Sequence, residues 1–197
     1  GVGTGGYSDD VTATAANVPA TPANFAVSVG DGEVTLSWNV ASDNGSAITR
    51  YEYRLDGGTA ISAGTSTTTT VTGLTNGTAY AFQIRAVNAI GDSAWSGSIT
   101  KTPSTTPATP SAVVVTGGAE QISVAWTDPT DNGGTPITQY DVRYRISEGD
   151  WVEVIDYTET DPITGLAADT SYEVEVRAIN GEGTGGWSTP AFGTTNS

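Results

Sequence analysis

Polar and apolar residues alternate along the stretch "YAFQIRAV" at positions 80 to 87. Tyr80, Phe82, Ile84 and Ala86 form the apolar set, and the positions between them include Gln83 and Arg85. Because successive side chains of a strand point to opposite faces of the sheet, this period of two predicts a strand with one face in an apolar core. The stretch "YEVEVRAI" at 172 to 179 alternates in the same way and predicts a second strand of this kind.

Short alternating runs of this type continue along the whole chain. They are interrupted roughly every 8 to 12 residues by Gly, Pro, Asn or Asp, which is the turn spacing of a β-sandwich. No stretch has the sustained apolar spacing of three and four residues that an amphipathic helix requires. The pattern therefore predicts an all-β chain.

The sequence repeats itself with a period of about 90 residues. The stretch "TAYAFQIRAVNAIGDSAWS" at 78 to 96 aligns with "TSYEVEVRAINGEGTGGWS" at 170 to 188. Upstream, "VTLSW" at 34 to 38 aligns with "ISVAW" at 122 to 126. A repeat of this length predicts two domains of the same fold.

The first residues of the chain are similar in sequence to a stretch near its end. The stretch "GVGTGGYSDDVTATA" at 1 to 15 is similar to "GEGTGGWSTPAFGTT" at 181 to 195. We therefore expect residues 1–17 to be the last loop and seventh strand of a truncated preceding domain, followed by complete domains at 18–104 and 105–197. Because an isolated strand leaves its backbone groups unpaired, we expect this one to pair with neighbouring repeats of the same or an adjacent chain.

At several positions both copies resemble fibronectin type III domains. The matching residues are Pro22 and Pro110 on the first strand, Trp38 and Trp126 on the second, Tyr51 and Tyr140 on the third, Leu74 and Leu166 before the sixth, and Tyr80 and Tyr172 at the corner leading into the sixth. The resemblance covers residues 19 to 197. It implies tandem seven-strand immunoglobulin-like sandwiches arranged as beads on a string. It also implies that the Trp, Tyr and Leu residues of this set form the structural core.

The loops that follow the two core tryptophans, and the Thr-rich strands, are similar to bacterial or archaeal extracellular members of the family. This resemblance implies an extracellular or cell-surface location. In some family members the loop between the last two strands carries the integrin-binding triplet Arg-Gly-Asp. The corresponding loops here read "NAIGDSA" and "NGEGTGG", so integrin binding is not expected.

Residues suited to catalysis are scarce. The chain contains no His and no Cys, and its basic residues include a single Lys, so a Ser or Thr nucleophile lacks an evident activating partner. We expect no catalysis, no cofactor and no metal site. The runs "SDNGS" and "DPTDNGG" resemble calcium loops but lack the spacing of an EF-hand, which favours ordinary turns. We expect Asp156, Glu159 and Asp161 to be solvated in a strand connection that forms no pocket.

The formal net charge of −15 limits the partners of the chain. Nucleic acids and anionic membrane surfaces would be repelled. No apolar run approaches the ~18 residues of a membrane span, so membrane insertion is not expected. Most of the excess lies in residues 107 to 197, which carry 14 acidic residues and three Arg.

Six of the seven basic residues fall on the predicted third and sixth strands. They are Arg50, Arg54, Arg85, Arg143, Arg145 and Arg177. Alternation places them on the same outward face as Glu52, Asp141, Glu173 and Glu175. We expect cross-strand ion pairs that face water, each contributing ~0.2 to 1 kcal/mol. The alternative is that this face binds a glycan or a surface partner.

The leading functional hypothesis is a structural or interaction segment of a long extracellular repeat protein, acting as a spacer, stalk or filament body and possibly adhesive. The Pro-bearing linker "TPSTTPATP" at 102 to 110 favours it, because such linkers act as semi-rigid spacers. One alternative is an accessory module of a secreted polysaccharide-degrading enzyme, since bacterial members of the family often lie between catalytic and sugar-binding units. Another is a module of a phage virion.

Overall fold

The computed structural model describes residues 15 to 197, which form fifteen strands and no helix. None of these residues therefore belongs to a helix that could cross a membrane. Residues 1 to 14 of the expected last loop and seventh strand lie outside the described residues, and the pairing of that strand stays a prediction.

Seven strands form the first sandwich. They are β1 (Ala26–Gly30), β2 (Glu33–Ser37), β3 (Ile48–Leu55), β4 (Ile61–Gly64), β5 (Thr68–Thr72), β6 (Tyr80–Asn88) and β7 (Ile99–Lys101). The smaller sheet has the order β1-β2-β5 and the larger sheet the order β4-β3-β6-β7. β3 and β6 run antiparallel, with Glu52 opposite Arg85 and Tyr53 opposite Ile84.

Eight strands form the second sandwich. They are β8 (Ser111–Gly118), β9 (Gln121–Thr127), β10 (Ile137–Ile146), β11 (Val152–Val154), β12 (Ile163–Thr164), β13 (Ser171–Asn180), β14 (Gly183–Thr184) and β15 (Ala191–Thr194). The smaller sheet has the order β12-β9-β8. The larger sheet has the order β11-β10-β13, and both β14 and β15 pair with β13. β10 and β13 repeat the antiparallel pairing of β3 and β6, with Asp141 opposite Arg177.

The core of the first sandwich follows the alternation of its sixth strand. Phe82 and Ile84 are fully buried, while Tyr80 at the start of β6 is half-buried. Val34 and Leu36 on the smaller sheet are also fully buried. Each such side chain contributes about 1.5 to 3 kcal/mol on removal from water, so the two sheets are held together chiefly by these rows.

The core of the second sandwich is a single cluster of buried residues. Its members are Ile122, Val124, Val142, Tyr157, Ile163, Leu166, Tyr172, Val174 and Val176. Trp126, Tyr140 and Tyr144 are partly buried and pack against it. Val142 on β10 and Val174 and Val176 on β13 are inward positions of the larger sheet, as the period of two requires.

The residues expected in the structural core differ in burial. Trp38, Tyr51, Leu166 and Tyr172 are buried, whereas Leu74, Tyr80, Trp126 and Tyr140 are half-buried. Two of the tyrosines also bind backbone. The hydroxyl of Tyr51 accepts a hydrogen bond from the Ala41 amide at 3.2 Å, and that of Tyr172 accepts one from the Ala167 amide at 3.0 Å. Each ring can thus be buried without leaving its hydroxyl unpaired.

The repeat predicts seventh strands at 95 to 102 and 187 to 195, but the strands observed there, β7 and β15, are shorter. Serine side chains replace the missing part of the ladder. In the first sandwich the Ile84 amide donates to Ser96 Oγ, and in the second the Val176 amide donates to Ser188 Oγ. Because a serine hydroxyl takes the place of a backbone carbonyl at these points, β7 and β15 begin later in the chain than the repeat predicts.

We predict that Trp38→Ala costs about 3 to 5 kcal/mol of unfolding free energy, because it leaves a cavity in a buried site. Trp126→Ala should cost less, because Trp126 is only half-buried. Chemical denaturation of the 197-residue chain measures both effects. The control is Val40→Ala, at a side chain 76% exposed, which should stay within about 0.5 kcal/mol of the parent. A cost for Trp38→Ala no larger than that of the control would contradict this core assignment.

Candidate functional site: the arginine and tryptophan stacks

The outward side of each larger sheet carries arginines and acidic residues, and we call it the charged face. In the first sandwich Glu52 is at its centre. Glu52 Oε1 lies 2.6 Å from Arg50 Nε, and Glu52 Oε2 lies 2.6 Å from Arg85 Nη2. Arg85 also contacts Asp92 at 2.7 Å. The expected pairing between the third and sixth strands is confirmed here by Glu52 and Arg85.

In the second sandwich three ion pairs cross from β10 to β13. They join Asp141 to Arg177 at 2.9 Å, Arg143 to Glu175 at 2.6 Å and Arg145 to Glu173 at 2.7 Å. The partners in each pair are directly opposite one another in the strand register. The expectation of ion pairs is confirmed on this face as well.

Tryptophan rings contact the same arginines. In the first sandwich the guanidinium carbons of Arg54 and Arg85 lie 4.5 and 4.6 Å from the ring centroid of Trp95. In the second sandwich the contacts form a continuous series. It runs Arg145, Trp151, Arg143, Trp187, Arg177, with successive separations of 4.3, 4.2, 4.5 and 4.2 Å. Arg85, Arg143, Arg145 and Arg177 are thus each held by both a carboxylate and a ring, whereas Arg54 Nε donates to Gln83 Oε1 at 2.9 Å.

The expectation that the acidic residues of this face are open to water is wrong. Glu52, Asp141 and Glu175 are only 7%, 1% and 8% exposed. The paired arginines, and the tryptophan rings that contact those arginines, cover the carboxylates on the outward side of the sheet. Removing one partner of a buried pair typically costs 3 to 5 kcal/mol, far more than the loss of a surface pair.

Burial and ion pairing act in opposite directions on these carboxyls. Burial by itself raises the pKa of Glu52, but hydrogen bonds from Arg85 and Arg50 outweigh it and hold the pKa below its usual value. Burial likewise raises the pKa of Asp141, whereas hydrogen bonds from Gln139, the Asp156 backbone and Arg177 together bring it below its usual value. Both groups are therefore anchored in their charged form.

A separate feature of the second sandwich is a cleft of about 530 Å³ whose lining includes Asp128, Tyr140, Asp156 and Tyr157. The Tyr140 hydroxyl donates to Asp128 Oδ1 at 2.6 Å. Burial, and then the Asp128 carboxylate, raises the pKa of Tyr140, so the phenol remains a neutral hydrogen-bond donor. The expectation that Asp156 lies in a connection without a pocket is wrong, because the turn into Tyr157 forms one wall of the cleft.

Asp156, Glu159 and Asp161 are exposed to water as expected, and they make separate hydrogen bonds, Asp156 through its backbone. The Asp156 amide donates to Asp141 Oδ1, Glu159 accepts from the Trp126 amide at 2.8 Å, and Asp161 accepts from the Thr158 hydroxyl at 2.9 Å. Within residues 15 to 197, no group of three or more acidic side chains is placed to hold a metal ion. The arrangement supports turns and strand ends.

Asparagines at the ends of β6 and β13 bind the segment that precedes each sandwich. Asn88 Nδ2 donates to the Asn17 carbonyl at 2.7 Å and to the Ser46 carbonyl at 3.1 Å. Asn180 Nδ2 donates to the Thr105 and Asn132 carbonyls, both at 2.8 Å. One amide thus joins the preceding segment to the loop between the second and third strands of the same sandwich.

Sequence reasoning missed the roles of Trp95, Trp187, Asn88 and Asn180. The signal was present, because each residue recurs at the same place in both copies. Recurrence alone does not say what a side chain contacts. Trp151 had no such signal, since the first copy has no tryptophan at the corresponding position.

The comparison with protein families decides the classification. The model of the fibronectin type III domain family matches residues 20–102 and 108–194. The chain belongs to this family. The two matched ranges contain the two sandwiches, and the fold class is the all-β sandwich of that family.

The relatives of the chain include an exoglucanase and a chitinase. It is 34% identical to Exoglucanase B of Cellulomonas fimi over 87% of its own length, and 35% identical to Chitinase A1 of Niallia circulans over 91%. It spans only 16% and 26% of the length of these two relatives. It is also 31% identical, over 82% of its length, to a Kelch domain-containing protein of Saccharolobus solfataricus. Among solved structures, chicken CNTN1 FN1-FN3 domains match 91% of this chain and 67% of that one, with 22% identity and a TM-score of 0.48.

We predict that Asp141→Asn makes the stability of the second sandwich less dependent on pH in acid. The pKa of Asp141 is lowered on folding, so its stabilising contribution is present above the unfolded value, about 3.9, and is lost as pH falls through the lower folded value. Unfolding free energies measured from neutral pH into this acidic range test the effect. Asp150→Asn, an equal charge change at an exposed site, is the control. Parallel pH profiles for parent and Asp141→Asn would refute the argument.

We predict that Trp187→Leu destabilises the second sandwich by about 1 to 2 kcal/mol, because two cation–π contacts of about 0.5 to 1 kcal/mol each are lost. A double-mutant cycle with Arg177→Met isolates the stacking contribution from the change in burial. A coupling free energy of zero between these two positions would show that the ring merely covers the pairs.

Proposed function

We propose that this chain is a non-catalytic module of a secreted bacterial polysaccharide-degrading protein, where it spaces and supports other domains. The observation that carries the proposal is the pattern of relatives. An exoglucanase and a chitinase match most of this chain, while the chain matches only a minor part of each. An endoglucanase of Cellulomonas fimi and Chitinase D of Niallia circulans match in the same way, at 35% and 34% identity.

The chemistry of the described residues supports a non-catalytic role. The chain has no His or Cys, and the carboxylates of the charged face are neutralised by arginines at hydrogen-bond distance. A group held charged by fixed partners is poorly suited to exchange protons during a reaction. Tyr140, the phenol in the cleft, has a raised pKa, so it stays protonated at neutral pH and is not available as a general base.

The structure of the preceding segments supports a spacer. Thr105 and Ala108 donate their amides to the Gly133 and Asp131 carbonyls, and Asn180 holds the Thr105 carbonyl. Pro107, between the two bonded amides, is buried. The segment from Thr105 to Ala108 is therefore bonded to the second sandwich and is not a flexible linker. Linkers of low flexibility act as semi-rigid spacers.

The charged face is passive in this proposal. Aromatic rings bind sugars by stacking, but the rings of Trp95, Trp151 and Trp187 each already contact two guanidinium groups. At each ring at least one of the two arginines is also paired to a buried carboxylate, which opposes its displacement by a sugar. The geometry favours a stabilising cover for the sheet over a glycan site.

The second candidate is the spacer, stalk or adhesive segment of a long extracellular repeat protein. It is favoured by the tandem repeat and by the 34% identity of 44% of the chain to neural cell adhesion molecule 1 of Gallus gallus. In both candidates the module is extracellular. They differ in whether a catalytic domain belongs to the same polypeptide.

An antibody against the 197-residue chain separates the two candidates. We predict that it detects, in the culture medium of the source organism, a polypeptide far larger than 20.1 kDa that comigrates with hydrolysis of carboxymethylcellulose or glycol chitin in a gel. The purified chain alone, as control, should hydrolyse neither. A large secreted band without activity on any polysaccharide substrate would instead support the repeat protein.

A further inference from the structure

Four asparagines of this chain are followed by glycine. They are Asn44, Asn76, Asn132 and Asn180. In such pairs the backbone nitrogen of the glycine can attack the side-chain carbonyl carbon of the asparagine, because glycine has no side chain to obstruct the approach. Asparagine is for this reason among the thermally labile residues. The sequence alone does not rank the four sites, but the structure does.

Asn180 is held most tightly. It is buried, and its Nδ2 donates to two carbonyls at 2.8 Å. Its Oδ1 accepts from the Glu182 amide at 2.9 Å and the Gly183 amide at 3.2 Å. Breaking this set would leave buried polar groups unpaired, which opposes any movement of the side chain.

Asn76 and Asn44 are held by distant partners. Asn76 Nδ2 donates to Asp31 Oδ1 at 2.8 Å, and Asn76 Oδ1 accepts from the Gly32 amide at 2.9 Å. Asn44 Nδ2 donates to the Val18 carbonyl at 2.8 Å, and Asn44 Oδ1 accepts from the Ser42 hydroxyl at 2.9 Å. In both residues the bond from Nδ2 must break before the amide can turn toward the following residue.

Asn132 differs from the other three. It is exposed, and its Oδ1 accepts a hydrogen bond from the Gly134 amide at 3.0 Å. Among residues 15 to 197 its Nδ2 has no hydrogen-bond partner. The bond to Gly134 folds the side chain over the Gly133 peptide and stabilises negative charge on Oδ1, where charge develops during attack on the carbon.

We propose that Asn132 is a deamidation site that the fold selects over the other three. The Gly133 N–H donates to Asp131 Oδ1 at 2.8 Å, and as its nitrogen forms a bond to Asn132 Cγ the proton is lost to buffer base. The bond from Cγ to Nδ2 breaks, and Nδ2 leaves with a proton as ammonia. Water then opens the cyclic imide at either carbonyl, which gives aspartate or isoaspartate without any oxidant or cofactor.

The modification acts on the segment before the second sandwich. The backbone carbonyl of Asn132 is one of the two acceptors of Asn180 Nδ2, and the other is the Thr105 carbonyl. The Thr105 amide in turn donates to the Gly133 carbonyl at 2.8 Å. Isoaspartate inserts one carbon into the backbone at residue 132, so it shifts both carbonyls and loosens the hold on Thr105.

Ageing the folded 197-residue chain in mildly alkaline buffer tests the selection. Peptide mapping by mass spectrometry, with fragmentation that distinguishes isoaspartate, measures each asparagine. We expect Asn132 to react roughly tenfold faster than Asn44, the factor that corresponds to about 1.4 kcal/mol of barrier, close to one net hydrogen bond. Both residues lie in Asp-Asn-Gly, so in denaturant they should react at similar rates.

The variant Ser42→Ala provides a matched control, because it removes a partner of Asn44 at an exposed position. It should slow the reaction at Asn44 in the folded chain, because the lost hydroxyl donates to Oδ1 as the Gly134 amide does at Asn132, and it should leave Asn132 unchanged. Folded-chain rates at Asn44 equal to or above those at Asn132 would overturn the proposal. For the consequence, hydrogen exchange at the Thr105 amide should accelerate in the isoaspartate fraction, and unchanged exchange there would refute the loosening.

Discussion

The antiparallel pairing of the third strand with the sixth is the constraint on which each sandwich depends. In the second copy Val142 lies opposite Val176, and the next pair, Asp141 and Arg177, lies on the other face. A slip of one residue would turn the charged pairs into the core and the valines to the outside. The same register therefore specifies both the apolar core and the charged face.

This register also explains how the fold tolerates carboxylates that are almost fully buried. Removing Asp141 from water is costly, and the cost is offset because Arg177 is opposite it and both Gln139 and the Asp156 amide donate hydrogen bonds, at 2.6 and 3.1 Å. The covering Trp187 ring completes the enclosure. Since any other register would leave these charges unpaired, we infer that the charged face adds specificity for the correct strand alignment.

The two copies share these devices and differ in their loops. Each uses a strand-end asparagine, Asn88 or Asn180, to bind the preceding segment. Only the second copy has Asp128 beside its core tyrosine, where the first has the exposed Val40, and only the second has the extended stack that includes Trp151. These differences leave the sheets unchanged because Asp128 and Trp151 lie outside the buried apolar cluster.

Sequence patterns were sufficient for the fold class, the tandem repeat and the pairing of arginines with acids across the sheet. The reason is that the period of two depends only on neighbouring residues of one strand. The same pattern also occurs in both copies of the repeat, so one copy supports the assignment made in the other. They also placed Trp38 and Tyr51, whose burial follows from their positions on the second and third strands.

Burial of the charged residues could not be predicted in this way. The alternation of "YEVEVRAI" separates inward from outward side chains, but it does not show that a tryptophan eleven positions after Val176 returns to cover them. The cleft at Tyr140 and the difference between Asn44 and Asn132 are of the same kind. The sequence determined which residues share a strand face, because that depends on backbone geometry alone. Only the tertiary structure decided which of them water can reach, because that depends on segments that are distant in the chain and close in space.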